Sequence, residues 1–553
     1  MKARIIDVLS AALATAQDEG ILASRAYPPA ATLDRPRERS HGDLASNLAL
    51  VLAKPEGQSP RAIAALLVAR LVDPGGWFEN VEIAGPGFLN FKLTPAFWHE
   101  ELAAFDADPA LRIVPGATPR RVQVEFVSAN PTGPLTVGHG RNAVLGDTVA
   151  RILEAAGQTV EREYYFNNAG RQMQVLGASV EARYREACGR GGAFPEDGYQ
   201  GEYIREIARN LASAHGDALL EDAGPVFRDA AEKAIFADIR RTLDRLAIRF
   251  DRYFNEDTLY SGGAVERTLA DLEGRGLVER REGAVWLRGD AVGLEKDRVL
   301  VKSSGEPAYR LPDIAYHRDK ISRGYDEIVD VLGADHIDES REVRAALAAL
   351  GDAAGRIRPV IYQFVTLTRH GVQVKMSTRR AEYVTLDELV DEVGVDAVRF
   401  FFLARKSDTH LEFDLELAKQ QSTDNPVYYV QYAHARISNL FGRLEREGIA
   451  LPAVAAAAAD LAALVEAGEF ELLRAVVDWP ETVLGAAADL EPHRIVFHLQ
   501  ELAATLHRFY NQHRLLGDER AERLRARLVL LRVVQRVLRH GLGLLGVGAP
   551  ERM

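Results

Sequence analysis

Two short segments, far apart in the chain, carry residue types that could hold and activate a nucleoside triphosphate. Segment 124–139 starts with strand-forming residues, passes through a Gly/Pro turn and ends in Gly138 and His139, where a helix is predicted to begin. A helix N-terminus offers free N–H groups to phosphate, and an imidazole can stabilise the charge that develops as the α-phosphoryl group is attacked. Segment 374–379 adds the cation Lys375 in a predicted loop. The pattern predicts an enzyme that holds a triphosphate from two sides.

The composition is typical of a globular protein with several domains. The chain has 553 residues, 47% hydrophobic and 27% charged, which exceeds the ~100–200 residues of one domain. No uncharged apolar run reaches the ~18 residues needed to cross a bilayer, and the first residues do not predict a secretory signal. Cys188 is the only cysteine, which excludes an intrachain disulfide and a cysteine-based zinc site. A cytoplasmic protein without membrane contact is expected.

Charge is unevenly distributed along the chain. The formal net charge of −12 argues against indiscriminate coating of nucleic acid. The stretch 508–540, in contrast, carries nine arginines and three acids in an apparently helical segment. These arginines either solvate the outer face of a helix or contact phosphate, and the pattern alone leaves both open.

The order of predicted elements indicates a multidomain α/β protein in three parts. Residues 1–110 open with a helical pattern and close with a strand at 88–93, which predicts an N-terminal α+β domain. Residues 118–415 alternate strands and helices, which predicts a Rossmann-like doubly wound parallel sheet with a helical insertion at about 170–280. Residues 420–553 predict an α-helical bundle that includes an alanine-rich helix at 453–467. In the middle part we predict strands at 122–127, 159–166, 327–332 and 360–365 and helices at 138–156 and 339–350.

The two segments together resemble the signatures of class I aminoacyl-tRNA synthetases. Thr136-Val-Gly-His139 is similar to their His-Ile-Gly-His motif, and Lys375-Met-Ser-Thr-Arg379 to their Lys-Met-Ser-Lys-Ser motif. Either match alone could arise by chance, but both occur in the expected order and context. The resemblance implies that Thr136, His139 and Lys375 are catalytic and that ATP is contacted by Gly138, His139, Asn142, Val374, Met376 and Ser377.

Both motifs are altered in this chain. Thr136 stands in place of the first histidine, and Thr378 in place of the second lysine. Threonine can donate one hydrogen bond but carries no positive charge for pyrophosphate. The charge must then come from Lys375, Arg379 or Arg380, from a magnesium ion, or from a rearranged loop.

Further segments are similar to arginyl-tRNA synthetases in particular: 125–130, 309–316 and 333–336. A guanidinium is a planar cation with five donors, so its site should provide carboxylates and an aromatic face. The resemblance implies arginine contacts from Glu125, Ser128, Asn130, Tyr309 and Asp313 and ATP contacts from Asp335 and His336. Two structural alternatives remain: Glu125 pairs with a lysine or arginine, and His336 is a satisfied structural histidine.

The resemblance extends to both ends of the chain. Segments 41–50 and 85–90 look like the additional N-terminal domain of arginyl enzymes, which meets the tRNA elbow, and segments 425–436 and 506–511 look like their anticodon-binding bundle. Tyr432 and Arg436 are the candidates for RNA contact, because aromatic rings and arginines stack on unpaired bases. A tyrosine-rich helix is, however, more often part of a packed core.

The resemblance implies ATP-dependent attachment of L-arginine to tRNA(Arg) through an arginyl-adenylate, with release of AMP and pyrophosphate. Mg²⁺ is expected to arrive with ATP rather than in a metal site of the protein. The family further implies a monomer that needs bound tRNA to form the adenylate. Two alternatives stay open: a class I synthetase for another amino acid, and a non-catalytic tRNA-binding paralogue that lost ATP chemistry with the residues replaced by Thr136 and Thr378.

Overall fold

The computed structural model describes residues 1–23, 32–36, 38–116, 118–221, 224–374, 384–513, 515 and 520–553. Three predicted site residues, Lys375, Met376 and Ser377, lie outside the described residues. Among the helices of the described ranges, none has both the length and the apolar character that crossing a bilayer requires.

The N-terminal elements combine a four-stranded antiparallel sheet, in the order β1-β2-β4-β3, with four helices. The elements are α1 (Lys2–Asp18), β1 (Leu33–Asp34), β2 (Leu44–Ser46), α2 (Leu48–Glu56), α3 (Pro60–Val68), β3 (Phe78–Ala84), β4 (Phe88–Leu93) and α4 (Pro95–Ala107). Leu89, Phe91 and Leu93 of β4 alternate along the strand and are all buried, as a sheet with one face on a core requires. Strand β4 coincides with the strand predicted at 88–93.

The middle of the chain forms a parallel five-stranded sheet with helices around it. Its elements are β5 (Arg121–Glu125), α5 (Val137–Ala155), β6 (Thr159–Phe166), α6 (Arg171–Ala187), α7 (Glu202–His215), α8 (Val226–Arg245), β7 (Arg252–Asn255), α9 (Asp257–Ser261), α10 (Ala264–Gly274), β8 (Val278–Arg281), β9 (Ala284–Leu287), α11 (Gly289–Val292), β10 (Arg298–Val301), α12 (Arg310–Ser322), β11 (Glu327–Gly333), α13 (Ile337–Ala349), β12 (Ile357–Tyr362), β13 (Val365–Arg369), β14 (Val372–Gln373), α14 (Leu386–Val393), α15 (Val395–Leu403), β15 (Leu411–Asp414) and α16 (Leu415–Lys419). The strand order is β12-β11-β5-β6-β7. The chain order therefore reverses between β5 and β11, and such a switch point is where doubly wound sheets bind ligands.

Beyond shifts of one or two residues at the ends of elements, such as β5, which ends at Glu125 rather than at 127, two details of this region differ from the prediction. Strand β7 lies inside the block 170–280 that the sequence marks as an insertion, yet it pairs in parallel with β6 at the edge of the main sheet. The strand predicted at 360–365 is two strands, since β12 ends at Tyr362 and β13 pairs with β14 and β15 in a separate sheet. Short strands interrupted by polar residues give too weak an alternation to reveal these partners.

Five long helices form the C-terminal bundle: α17 (Pro426–Arg446), α18 (Ala467–Val477), α19 (Trp479–Asp489), α20 (His493–Gln512) and α21 (Ala521–Leu544). The helix predicted at 453–467 was wrong, because only a 3₁₀ turn forms there, at Ala458–Leu461. Ala455 has a left-handed φ of 64°, which interrupts a right-handed helix. Arg532 of α21 donates to the carbonyls of Pro452 and Ala453, so distant contacts fix this backbone instead.

Helix α21 contains most of the arginine-rich stretch 508–540, and the contacts of three of its arginines are structural. Arg527 is buried and donates to Glu469. Arg532 forms two hydrogen bonds of 2.8 Å with Asp106 of α4, and Arg536 donates to backbone carbonyls at the end of α4. These three arginines join the bundle internally and to the N-terminal elements, which is a structural use that neither sequence interpretation included.

Candidate active site

A cavity of about 820 Å³ opens at the carboxyl ends of β5, β6 and β11. Its wall brings together eleven of the predicted site residues: Glu125, Ser128, Asn130, Thr136, Gly138, His139, Asn142, Tyr309, Asp313, Asp335 and His336. Val374 is not part of this wall. Residues separated by more than two hundred positions therefore meet around one space, because parallel strands end at the same edge of the sheet.

The first signature forms the N-terminus of α5. Thr136 is the residue before the helix, and its backbone N–H donates to Nδ1 of His139 over 3.2 Å. Because Nδ1 accepts this bond, the proton of the neutral ring is on Nε2, which remains a donor. Burial lowers the pKa of His139 and favours this neutral form. A Cβ atom on Gly138 would meet nothing closer than the Thr136 hydroxyl at 3.8 Å, so the helix end is open to the cavity.

We expect His139→Asn to lower kcat about 10²–10³-fold, the loss typical of removing one donor to a developing oxyanion. Exchange of pyrophosphate into ATP gives kcat and KM together. The wild-type rate should persist as the pH falls through ~6.5, where an ordinary histidine gains its proton, because the pKa of His139 lies lower. A rate that drops with the ordinary histidine titration would contradict the assignment of the neutral Nε2–H donor.

The turn that follows β5 is strained and tightly held. Val127 and Ser128 have φ angles of 66° and 42°, a region that β-branched residues rarely adopt. The backbone N–H of Val127 donates to Oδ1 of Asn142 over 2.6 Å, and Nδ2 of Asn142 donates to the carbonyl of Val331 over 2.9 Å. Asn142 thus joins the ends of β5 and β11, and its predicted contact with ATP stays a prediction.

Glu125 lies at the end of β5, and each of its two oxygens accepts one hydrogen bond from a protein group, which leaves acceptor sites on both. Ser128 Oγ donates to Oε1 over 2.8 Å and also accepts from the backbone N–H of Tyr165. Lys320, whose side chain is fully buried, donates to Oε2 of Glu125 and to Oδ1 of Asp330, the latter over 2.7 Å. The structural alternative for Glu125, a pair with a lysine, is therefore present. The same carboxylate also lines the cavity.

Asp313 stands on α12 among other acids of the same wall. Burial, followed by the charges of Glu339, Glu256 and Glu125, raises the pKa of Asp313 well above its ordinary value. Burial likewise raises the pKa of Glu256. Neighbouring carboxyl groups oppose one another's ionisation, and a cation placed between them relieves this repulsion. A guanidinium has five N–H donors, enough to bond to several carboxyl groups at once. Tyr309 at the start of α12 is 66% exposed, so its ring is available for stacking.

Sequence reasoning missed the groups that fix this acidic wall. His317 bonds to the carbonyl of Asp313 through Nδ1, over 2.8 Å, and to Asp330 through Nε2, over 3.0 Å. Although burial opposes its ionisation, Lys320 and His317 hold the pKa of Asp330 well below the ordinary range. His317 and Lys320 follow Asp313 by four and seven positions, which places all three on one face of α12. That spacing is the only signal in the sequence that could have indicated them.

His336 has a carboxylate partner in the same wall. Its Nδ1 lies 3.0 Å from Oε2 of Glu339, and this hydrogen bond raises the pKa of His336. Its side chain is 54% exposed, so the structural alternative and a ligand contact are both compatible with its position. The ATP contacts of Asp335 and His336 stay predictions.

Tyr432 and Arg436 lie in the C-terminal bundle, outside the cavity wall. The ring of Tyr432 stacks with those of Tyr428, at 6.3 Å, and His507, at 5.5 Å. The guanidinium of Arg436 lies 4.4 Å from the centre of the Tyr510 ring. The two residues therefore belong to one cluster of aromatic and basic side chains along α17 and α20.

Three family models match consecutive parts of the chain. They are the arginyl tRNA synthetase N-terminal domain at residues 3–93, the class I (R) tRNA synthetase catalytic domain at 114–439 and the DALR anticodon-binding domain at 430–553. Together with the parallel sheet, the cavity and the two signatures, these matches define a class I tRNA synthetase.

The matching relatives are more specific. An arginine–tRNA ligase of Desulfotalea psychrophila is 48% identical over 94% of both chains, and one of Syntrophotalea carbinolica is 46% identical over 100% of both. The arginyl-tRNA synthetase structure of Thermus thermophilus superposes with a TM-score of 0.75 at 25% identity, and the match covers 100% of each chain. The chain belongs to the arginyl-tRNA synthetase family. The predicted family and fold class are thereby confirmed.

Proposed function

We propose that the protein attaches L-arginine to its cognate tRNA at the expense of ATP, through the cavity at the end of β5 and β11. Glu125 and Asp313 accept hydrogen bonds from the guanidinium, and the Tyr309 ring stacks on its plane. Ser128 and Asn130 lie by the α-amino and carboxylate groups of the substrate. The family relationship supports the overall reaction, and the wall of carboxyl groups supports arginine as its amino acid.

In the first step, a carboxylate oxygen of arginine attacks the α-phosphorus of ATP. The bond from the α-phosphorus to the bridging oxygen breaks, and pyrophosphate leaves with the electron pair. His139 donates from Nε2 to an α-phosphoryl oxygen as negative charge builds up there, and the open helix end at Gly138 adds N–H groups. The catalytic role of Thr136 is to orient the His139 ring through its backbone N–H. Asn142, Asp335, His336 and Val374, with Lys375, Met376 and Ser377, complete the ATP site in this proposal.

In the second step, a hydroxyl of the terminal ribose of tRNA attacks the carbonyl carbon of the arginyl-adenylate. The bond from that carbon to the phosphate oxygen breaks, AMP leaves, and the hydroxyl proton passes to solvent or phosphate. Positioning and charge stabilisation supply the rate, and no side chain is assigned as a general base.

Mg²⁺ enters this scheme as part of the ATP substrate. Within the described ranges, no three His, Cys, Asp or Glu side chains form a group that could hold a metal ion. In this proposal phosphate oxygens are its main ligands, as is usual for magnesium bound with a nucleotide.

The proposal assigns one role to each part of the chain. Residues 1–110 act as an additional tRNA-binding domain, 118–415 as the catalytic domain and 420–553 as the anticodon-binding bundle. The part of 170–280 outside β7 forms the insertion. The protein acts as a cytoplasmic monomer and needs bound tRNA to form the adenylate.

Tyr432 and Arg436 contact the anticodon in this scheme. We expect Tyr432→Ala to raise KM for tRNA about 10-fold, the loss of one base–aromatic stack, and to leave KM for arginine and ATP unchanged. Phe497→Ala, at an exposed ring of the bundle, is the matched control and should behave as wild type. A Tyr432→Ala variant that also behaves as wild type would place tRNA contact elsewhere.

Acylation of total tRNA with each amino acid in turn tests the proposed reaction. The observation that carries it is the set of carboxyl groups facing one cavity beside the helix end of the first signature. Arginine alone should be transferred. Transfer of another amino acid would support a different class I specificity, and no transfer with any would support a non-catalytic paralogue.

A further inference from the structure

Arg141 lies on α5, two residues after His139, and its side chain is buried without being part of the cavity wall. One terminal nitrogen of its guanidinium donates to the carbonyl of Gln363. The other donates to the carbonyls of Lys406 and Thr409, over 3.2 and 3.1 Å. Among the ion pairs of the described ranges, none includes Arg141. Its hydrogen bonds therefore go to the backbone of two loops and not to a carboxylate.

A buried guanidinium without an acidic partner is costly, so its presence at this position indicates a use for its shape. Burial lowers the pKa of Arg141 to about 10, and the side chain still carries its charge at neutral pH. The planar fork of N–H donors reaches carbonyls of two separate loops at once, whereas a lysine ammonium is a single point and a glutamine amide has one donor group. The two loops are thus joined through one side chain.

The two loops are also joined to each other. Gln363 lies in the turn where the chain leaves the main sheet, between the end of β12 and the start of β13. Its backbone N–H donates to the carbonyl of Ser407 over 2.9 Å. The loop 404–410 leads into β15, which pairs in parallel with β13. Arg141 therefore connects α5 to the place where the main sheet and the separate sheet meet.

The residues on either side of Gln363 belong to the cavity wall. Tyr362 and Phe364 both line the cavity, and Phe364 is 62% exposed. The hydroxyl of Tyr362 lies 3.7 Å from the place that a Cβ atom on Gly333 would take. Gly333 and Asp335 follow the end of β11, in the part of the wall that the proposed function assigns to ATP. The arginine part of the wall is built instead by β5 and α12.

We propose that Arg141 is a positioning residue for ATP, which holds the turn between β12 and β13 so that Tyr362 and Phe364 form the nucleotide part of the wall. This inference rests on the proposed function, which places ATP in that part of the cavity. Helix α5 carries both His139 and Arg141, so one rigid helix sets the distance between the catalytic imidazole and this wall. Displacement of the wall should weaken the use of ATP and leave the arginine part intact.

Arginylation kinetics of full-length Arg141→Gln and Arg141→Lys test this role. We expect each variant to raise KM for ATP about 10-fold, the loss of roughly one net hydrogen bond expressed as a binding constant. KM for arginine should change less than about 2-fold, because β5 and α12 keep their places, and this constant also reports that the variant is folded. Lysine keeps the positive charge but not the fork of donors, so equal effects of the two variants separate position from charge.

Arg356→Gln is the matched control. Arg356 stands just before β12, at the other end of the same strand, and its guanidinium also donates to a backbone carbonyl, that of Tyr325 over 3.1 Å. It is absent from the cavity wall. Its removal should leave KM for ATP and KM for arginine as in wild type. A control that raises KM for ATP as much as the Arg141 variants do would overturn the assignment to Arg141.

Hydrogen exchange of the wild-type protein gives a second measurement that needs no variant. ATP should slow exchange in the peptides that contain Gln363 and residues 406–409, and L-arginine alone should not. Exchange there that ATP leaves unchanged would overturn the proposal, as would a KM for ATP within 2-fold of wild type in Arg141→Gln or in Arg141→Lys. A wild-type protein that transfers no arginine to tRNA would instead overturn the proposed function, so the two failures are distinguishable.

Discussion

Asp313→Asn lowers kcat/KM for arginine about 10²–10³-fold in our account, because the amide keeps the shape of the side chain but cannot become a carboxylate. Hydrogen bonds to charged groups contribute ~1.5–3 kcal/mol each. In the variant, up to two hydrogen bonds from the guanidinium no longer have a charged acceptor at position 313. KM for ATP should change little, since the nucleotide has no part in that contact. Acylation kinetics at varied arginine and at varied ATP separate the two effects.

Asp319→Asn is the control for this variant. Asp319 lies on the same helix, pairs with Arg323 at 3.0 Å and is absent from the cavity wall. It should change kcat/KM for arginine less than about 2-fold, the scale of a partly exposed ion pair. Equal losses for arginine and ATP in Asp313→Asn would remove Asp313 from the arginine site.

Lys320→Met lowers the free energy of unfolding by about 3–5 kcal/mol, the cost of leaving buried charges without their partner. The ammonium of Lys320 is fully enclosed and holds both Glu125 and Asp330. Methionine fills much of the same volume, so the loss measures charge rather than a cavity. Urea unfolding followed by tryptophan fluorescence gives the value.

Lys302→Met is the matched control, because Lys302 is exposed and its contact with Glu306 is 3.4 Å. Loss of an exposed ion pair costs ~1 kcal/mol or less. A double variant, Lys320→Met with Asp330→Asn, should recover part of the lost stability, since it removes one of the two uncompensated charges. If Lys320→Met lowered the free energy of unfolding by less than Lys302→Met does, Glu125 and Asp330 would need no cation between them.

The parts of the fold that local pattern determines were predictable. Strands β4 and β6 begin and end where the sequence predicts, because apolar spacing and Gly/Pro punctuation bound them. The first signature forms a strand, a turn and a helix start for the same reason. Contacts between distant segments were not predictable. Arg532 holds 452–453 in a non-helical path from eighty residues away, and no local pattern contains that information.

The candidate site also contains residues that the sequence could indicate and residues that it could not. The motifs and the family resemblance indicated eleven of the residues that line the cavity, and the chemistry of a planar cation agrees with the carboxylates and the aromatic ring among them. Lys320 and Asp330 were missed. A buried lysine on an otherwise amphipathic helix looks like a surface lysine in sequence, and its partners come from two strands of the sheet. Burial of that kind becomes visible only when the helix is placed on the sheet.

A structure of the protein with L-arginine bound tests the central claim most directly. We predict that the guanidinium lies between the carboxylates of Glu125 and Asp313, with hydrogen bonds to both, while Lys320 keeps its bonds to Glu125 and Asp330. Arginine bound with its guanidinium away from these two carboxylates, or touching neither, would contradict the account.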